Sequence, residues 1–100
     1  MAISDVQEKG SWYNIIDSSG KKSATLPVST GELLGVGIDF IVLQRGSWYS
    51  TYDEKGKKIA TLPVSTGELK NVVGNSFNLK RGSWINTFDK KCKKTGTRPA

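Results

Sequence analysis

The chain repeats itself. The segment 10–45 begins GSWYNIIDSSGKK, and the segment 46–81, 36 residues further on, begins GSWYSTYDEKGKK. The two segments are identical at more than half of their positions and share the unbroken run ATLPVSTGEL. A third copy starts at GSWINTFD and ends with TGTRPA. A period of about 20 to 50 residues is typical of stacked or ring-arranged units, none of which can bury its apolar face alone.

The length limits how many domains these units can form. One hundred residues suffice for one domain with a modest core but not for two independent domains. We therefore predict a single repeat domain over residues 1–100, with units at about 1–33, 34–69 and 70–100. The apolar share of 36% indicates a thin core or one that a second subunit completes.

Within each unit the hydrophobic pattern has a period of two, which is typical of β-strands. Trp48, Ser50 and Tyr52 fall on one side of a strand, and Tyr49 and Thr51 fall on the other. Large residues recur on the tryptophan side in every copy, so we predict that this side faces the core. The anchors of the predicted core are Trp12, Trp48 and Trp84.

Turn signals separate the predicted strands. The Arg-Gly pairs at 45–46 and 81–82 indicate hairpins. Asp17, Asp53 and Asp89 each open a four-residue segment in which the carboxylate can bond the backbone. A third strand follows each turn, and ISDVQEK at the N-terminus is predicted to be the first strand of unit one.

The STGEL segments allow two interpretations. Ser29 with Glu32, and Ser65 with Glu68, have the spacing of a capping box that opens a short helical turn. A fourth strand is equally compatible with the same residues. In either case the fold class is all-β, with three repeated antiparallel meanders. We expect them to form a small closed barrel or propeller-like blades, with unpaired edges that favour a homo-oligomer.

The motif GSWYSTYDEKGKKI resembles the bacterial WG-type β-repeat, in which a Gly-x-Trp strand, an Asp-x-x-Gly turn and a Lys-rich return strand recur at about this period. The resemblance covers residues 10–81 and part of the rest. It departs from the family after tryptophan, where a glycine is expected and Tyr13, Tyr49 and Ile85 stand. Propeller blades and YD-type repeats have similar aromatic strands. All of these families imply recognition or scaffold roles without a catalytic residue.

Much chemistry is excluded by composition. The chain has no histidine and one cysteine, which removes imidazole-activated nucleophiles and most zinc sites. Neither a GxGxxG nor a GxxxxGK[ST] loop is present. Because the aspartates occupy turn positions, backbone capping explains them better than catalysis. We therefore expect no enzymatic activity, no cofactor and no metal.

Three features remain that could mediate binding. If the second side of the repeated strands is exposed, Tyr13, Tyr49 and Ile85 form an aromatic row. Glu32 and Glu68 could then accept hydrogen bonds from the hydroxyl groups of a sugar. A basic edge is predicted from the repeated lysines. Cys92 replaces a turn glycine between lysines, which would favour a reactive thiolate. The lysines of the edge are Lys21, Lys22, Lys57, Lys58, Lys93 and Lys94.

These features favour a non-enzymatic β-repeat module that binds a macromolecule. A protein partner, bound through the tyrosine face or a free strand edge, is the leading hypothesis. A lectin-like carbohydrate-binding module with repeated shallow sites is the first alternative, and a nucleic-acid binder is the second because the net charge is +6. The longest apolar run, FIVL, is too short to cross a bilayer. A cytoplasmic location is slightly favoured over a processed secreted or periplasmic form.

Overall fold

The computed structural model describes residues 2–100, and most of them lie in β-strands. Met1, which the predicted first unit includes, lies outside the described residues. The eleven strands are β1 (Ile3–Lys9), β2 (Trp12–Asp17), β3 (Lys22–Pro27), β4 (Glu32–Val36), β5 (Phe40–Arg45), β6 (Trp48–Asp53), β7 (Lys58–Pro63), β8 (Glu68–Val73), β9 (Ser76–Arg81), β10 (Trp84–Asp89) and β11 (Lys94–Pro99). The predicted all-β class is confirmed.

The strands form three antiparallel sheets, and each sheet is a meander in which strands adjacent in the chain pair. The first sheet is β1-β2-β3, the second is β4-β5-β6-β7, and the third is β8-β9-β10-β11. Residues 2–100 form no closed barrel, because every sheet keeps two edge strands. The barrel alternative is therefore wrong, whereas the blade-like arrangement and self-association remain predictions.

The aspartate turns form as the sequence predicts. In the first turn, one carboxylate oxygen of Asp17 accepts hydrogen bonds from the backbone N–H groups of Ser19 and Lys21 at 2.9 and 3.0 Å. Asp53 and Asp89 make the same pair of bonds in the second and third turns. The hydroxyl of Ser19 also donates to Asp17, and this bond is the main cause of the lowered pKa of that carboxyl.

Each STGEL segment contains both a helical turn and a strand. A 3-10 turn covers Val28–Thr30 in the first connector and Val64–Thr66 in the second, and β4 and β8 begin directly after the next glycine. The capping boxes predicted at Ser29 and Ser65 do not form. The residue before each 3-10 turn is a proline, and no side chain caps the turn. A proline fixes the extended backbone there but has no hydroxyl to bond an N–H group.

Two apolar clusters hold the sheets together. The first lies between the first and second sheets and consists of Ile3, Tyr13, Ile15, Leu26, Ile41 and Leu43. The second lies between the second and third sheets and consists of Phe40, Val42, Tyr49, Phe77, Leu79 and Phe88. Strand β5 contributes alternate residues to both clusters, so both sides of the middle sheet are covered. A strand covered on both sides has a continuous apolar sequence, which explains FIVL.

The predicted orientation of the repeated strands is wrong. Tyr13 and Tyr49 are buried, with 4% and 3% of their surface exposed, whereas Trp12, Trp48 and Trp84 are exposed by 50%, 50% and 53%. Each tryptophan is the first residue of its strand, beside the hairpin and beyond the packed part of the sheet. The same side is covered farther along the strand. There Tyr52 packs against the first cluster and Phe88 belongs to the second.

The tyrosines can be buried because their hydroxyl groups have partners. The hydroxyl of Tyr13 donates to the carbonyl oxygen of Gly31 at 2.9 Å and accepts from the N–H of Leu33 at 3.3 Å. The hydroxyl of Tyr49 donates to the carbonyl oxygen of Gly67 at 2.8 Å. Each bond joins a strand to the connector that follows its unit. The tyrosine thus satisfies the polar backbone of the connector as well as filling the core.

This role predicts the effect of removing one hydroxyl. Tyr13→Phe keeps the ring but leaves the buried carbonyl of Gly31 without its donor, so we expect a loss of about 1–3 kcal/mol of unfolding free energy. Tyr52→Phe is the matched control, since within residues 2–100 the hydroxyl of Tyr52 makes no hydrogen bond. Urea denaturation of both variants measures the difference. Equal stability of the two variants would show that the connector bond is unimportant.

Polar bonds also join neighbouring sheets. The hydroxyl of Ser23 donates to the carbonyl oxygen of Glu54 at 2.7 Å, and the hydroxyl of Thr51 donates to that of Lys90 at 2.6 Å. The acceptors lie at equivalent points of successive aspartate turns, 36 residues apart. A salt bridge of 2.7 Å between Lys90 and Asp39 strengthens the contact of the second and third sheets. These polar contacts help to fix the position of each sheet relative to the next.

Candidate functional site

The exposed tryptophans have the same neighbours in all three sheets. In the second sheet, Trp48 pairs with Arg45 on β5 and with Pro63 on β7. In the first sheet Trp12 pairs with Lys9 and Pro27, and in the third sheet Trp84 pairs with Arg81 and Pro99. Directly opposed residues of antiparallel strands lie on the same side of a sheet. Each indole therefore lies between a long cationic side chain and a proline ring.

A row of polar residues lies two positions farther along each strand. Ser50 pairs with Thr61, Asn14 pairs with Thr25, and Asn86 pairs with Thr97. In the first and third sheets the threonine hydroxyl donates to the asparagine side-chain oxygen, at 3.2 and 2.9 Å. These groups supply both donors and acceptors beside the indole.

A lysine ends the row in every sheet. Lys58 pairs with Tyr52, four residues beyond Trp48 on the strand, and Lys22 and Lys94 occupy the corresponding positions in the first and third sheets. Four residues of a strand span about 13 Å. The two cations of a sheet therefore lie at opposite ends of an aromatic and polar strip.

These strips line three cavities that open to solvent. The first tryptophan site, lined by Lys9, Trp12, Asn14, Lys22 and Thr25, encloses about 530 Å³. The second tryptophan site, lined by Ser29, Thr30, Arg45, Trp48, Ser50, Tyr52, Lys58 and Thr61, encloses about 460 Å³. The third tryptophan site, lined by Arg81, Trp84, Asn86, Lys94 and Thr97, encloses about 300 Å³. Volumes of this size suit small ligands or single units of a polymer.

The second tryptophan site has an additional wall. Ser29 and Thr30 come from the 3-10 turn that follows the first sheet, so the cavity lies in the gap between two sheets. Its inner end is formed by Tyr52. Burial raises the pKa of Tyr52, and the nearby Arg45 guanidinium offsets part of this rise. The phenol is therefore a neutral hydrogen-bond group at physiological pH.

The cations of the three sites are not neutralised by the protein. No carboxylate lines any of the three cavities. The salt bridge between Lys90 and Asp39 involves none of the six site cations. Within residues 2–100 these six side chains form no ion pair. The six cations are Lys9, Arg45, Arg81, Lys22, Lys58 and Lys94. Each site is consequently a local region of positive potential.

The structure divides the predicted basic edge into two groups. Lys22, Lys58 and Lys94 line the tryptophan sites. Lys21, Lys57 and Lys93 are also exposed but lie in the aspartate turns, where their backbone N–H groups bond the turn carboxylates. One lysine of each adjacent pair thus belongs to a site and the other does not.

The predicted tyrosine face does not form a binding surface. Tyr13 and Tyr49 are core residues, and Ile85 is only half-buried because it lies on the outer side of the third sheet. Glu32 and Glu68 are exposed at the starts of β4 and β8, outside all three cavities. The sequence does contain a signal for the correct sites. In every copy a cation precedes the tryptophan by three residues, and a serine or asparagine follows it by two.

Cys92 is partly buried beside the second apolar cluster. It occupies the turn position of Gly20 and Gly56 and adopts their left-handed backbone, with φ of 62°. Its side chain packs against the second apolar cluster and is half-buried. This burial raises the pKa of the thiol above its ordinary value of 9.0, although a hydrogen bond with Thr51 offsets part of the rise. Burial therefore opposes the thiolate that the flanking lysines would favour, and we expect a slowly reacting thiol.

A labelling experiment checks this assignment. At pH 7 we expect a disulfide reagent to modify Cys92 in the folded protein roughly ten times or more slowly than in urea. Since the folded-state pKa is raised, the neutral thiol stabilises the fold below the ordinary pKa of 9.0, and this contribution is lost as the pH rises through the folded value. Labelling of the folded protein as fast as that of the unfolded chain would contradict the assignment.

No protein-family model, curated protein or solved structure matches this chain. The WG-type assignment therefore stays a prediction. Within residues 2–100 there is no group of three or more potential metal-ligating side chains. No helix in the described part of the chain is long and apolar enough to cross a membrane.

Proposed function

We propose that this chain is a non-enzymatic β-repeat module that binds carbohydrate through the three tryptophan sites. The proposal depends on one observation above all. Three half-exposed indoles stand at equivalent strand positions, each in its own open cavity beside hydroxyl or amide groups. Single exposed apolar side chains are normal on protein surfaces, so the proposal depends on the repetition of the same polar and cationic surroundings at all three indoles.

The chemistry of these cavities suits a sugar. A pyranose ring has an apolar C–H face that can stack on the negative face of an indole. Its hydroxyl groups lie around the ring edge, where a polar row such as Ser50 with Thr61 can donate to them and accept from them. Open cavities are also appropriate for a polymer, since the chain must enter and leave each site.

A protein partner has less support. The tyrosine face on which that hypothesis depended is buried, so only strand edges and scattered apolar residues such as Ile38 and Val73 remain for such an interface. These residues do not recur in equivalent cavities. The repeated feature of the surface is the tryptophan site, and a ligand made of repeating units matches it best.

We infer further that the sheets are blade-like units in an open array. Strand β4 contacts both β1 and β8, so the inner strands of successive sheets adjoin. Backbone bonds follow the same line, because Ile3 donates to Ile38 and Ile38 donates to Gly74, at 2.6 and 2.8 Å. Such an array would place the three tryptophans on successive blades. Whether further copies extend the array is measurable as the mass in solution.

An array of immobilised polysaccharides tests the proposal. We expect the chain to bind at least one class of polysaccharide, and the variant Trp12→Ala/Trp48→Ala/Trp84→Ala to bind none. The control Ile38→Ala/Val73→Ala removes exposed apolar side chains outside the cavities and should bind normally. A chain that binds no polysaccharide, or a tryptophan variant that binds as well as the original, would refute the proposal.

A further inference from the structure

The positive charge of the tryptophan sites specifies the ligand more closely. We infer that the sites bind an acidic polysaccharide, with a sugar ring stacked on tryptophan and carboxylate or sulfate groups at the two cations beside it. This inference rests on the proposed function. Its premises are the positions of the cations, the absence of carboxylates from the cavity linings, and the repetition of the site.

The cations flank the stacking position on both sides. In the second tryptophan site, Arg45 is directly opposite Trp48, and Lys58 lies at the far end of the polar row. The strip between them is about 13 Å long, which is more than one sugar ring requires. A sugar ring on the indole would thus have a cation beside it, and the next charged unit of the chain would lie near the lysine.

The cations are available to a ligand. Lysine and arginine can also donate to the hydroxyl groups of a neutral sugar, but only an anionic group neutralises the positive charge that the two cations bring to each cavity. A carboxylate or sulfate also forms charge-assisted hydrogen bonds, which are about twice as strong as neutral ones. The same two cations accompany tryptophan in all three sites.

The spacing of the sites favours a glycan over a nucleic acid. Proteins that bind single-stranded nucleic acid stack successive bases on aromatic side chains along a basic groove. Here consecutive tryptophans lie on different sheets, and packed sheets are about 10 Å apart. Neighbouring bases would not reach neighbouring tryptophans. Units of an acidic polysaccharide that are not adjacent in the polymer can match such a separation.

The two lysines of each turn provide a matched pair of variants. Lys22→Gln/Lys58→Gln/Lys94→Gln removes one cation from each site, whereas Lys21→Gln/Lys57→Gln/Lys93→Gln removes the adjacent, equally exposed lysines outside the sites. Both variants lose three positive charges. Any difference between them therefore depends on position and not on net charge.

Isothermal titration with polygalacturonate, dextran sulfate and neutral dextran tests the inference. We expect both acidic polymers, or one of them, to bind with an affinity that falls as salt rises, and dextran to bind far more weakly. The site variant should lose roughly tenfold or more in affinity and the control variant much less, because modest losses at three sites multiply. Preference for polygalacturonate or for dextran sulfate would distinguish carboxylate from sulfate recognition.

Other outcomes separate the two proposals. Equal binding of dextran and the acidic polymers, lost in the tryptophan variant, would overturn the acidic ligand but keep carbohydrate binding. Equal losses of affinity in both lysine variants would also overturn the acidic-ligand inference, because binding would then depend on the net charge and not on the lysines of the sites. Binding of none of the three polymers would overturn the acidic ligand, whereas carbohydrate binding as such is overturned only if the array of polysaccharides also stays blank. Tighter binding of a single-stranded oligonucleotide than of any polysaccharide would overturn both proposals and would indicate a nucleic-acid ligand.

Discussion

Replacing Phe77 with alanine is expected to lower the free energy of unfolding by about 3–5 kcal/mol. Phe77 is fully buried at the centre of the second cluster. Its ring is stacked on Phe88 at 5.7 Å and tilted against Phe40 at 6.4 Å, so it joins the third sheet to the second. The truncated side chain would leave a cavity between the two sheets.

Such a loss is a large part of the total stability, which for a small domain is about 5–15 kcal/mol. Val73→Ala is the control on the same sheet, because Val73 is 60% exposed and should change stability by no more than about 0.5 kcal/mol. Urea denaturation followed by far-ultraviolet circular dichroism measures both. A loss below about 1 kcal/mol for Phe77→Ala would mean that the sheets do not depend on this cluster.

Stepwise removal of the tryptophans has the largest expected effect on binding. Stacking of a base on one aromatic side chain contributes about 1–3 kcal/mol, and with a similar magnitude for a sugar ring a single Trp48→Ala should weaken binding of a polymer roughly tenfold. Loss of all three should weaken it by about 10² to 10⁴, because linked sites act together. The variants should still fold, since each tryptophan is half-exposed and belongs to neither apolar cluster.

The matched measurement is a titration of the single, double and triple variants with the same acidic polymer, beside Ile38→Ala as the control. Ile38 is 49% exposed, as the tryptophans are, but lies outside the three cavities. Thermal unfolding of every variant verifies that the fold is intact. Losses that do not grow with the number of tryptophans removed would show that the sites do not act together.

The sequence determines the strands and turns of this chain but not which side of each strand is covered. The alternation of Trp48 with Tyr49 predicts a strand equally well in either orientation. Burial of Tyr49 depends on its bond to Gly67, 18 residues away, and on the third sheet packed against it. Neither contact is visible in a local pattern. The turn aspartates, by contrast, bond within four residues, so Asp53 could be assigned correctly from the sequence.

The candidate sites cannot be predicted from the sequence for the same reason. If tryptophan lies in the core, the cation before it and the polar residue after it have no evident role. In the structure Trp84 is exposed, and Arg81 and Asn86 line a cavity with it. Cys92 shows the opposite case, because its lysine neighbours suggest an exposed thiolate although the side chain lies against the core.

The tryptophan indole N–H resonances test the central claim most directly. In a proton–nitrogen correlation spectrum of the labelled protein, titration with oligogalacturonate should shift the indole signals of Trp12, Trp48 and Trp84, while the backbone amides of the buried Ile41 and Phe77 stay nearly unchanged. A titration with oligosaccharides of sulfated dextran covers the alternative acidic group. Indole signals that stay fixed while other resonances shift, or that shift in none of these titrations, would contradict the account.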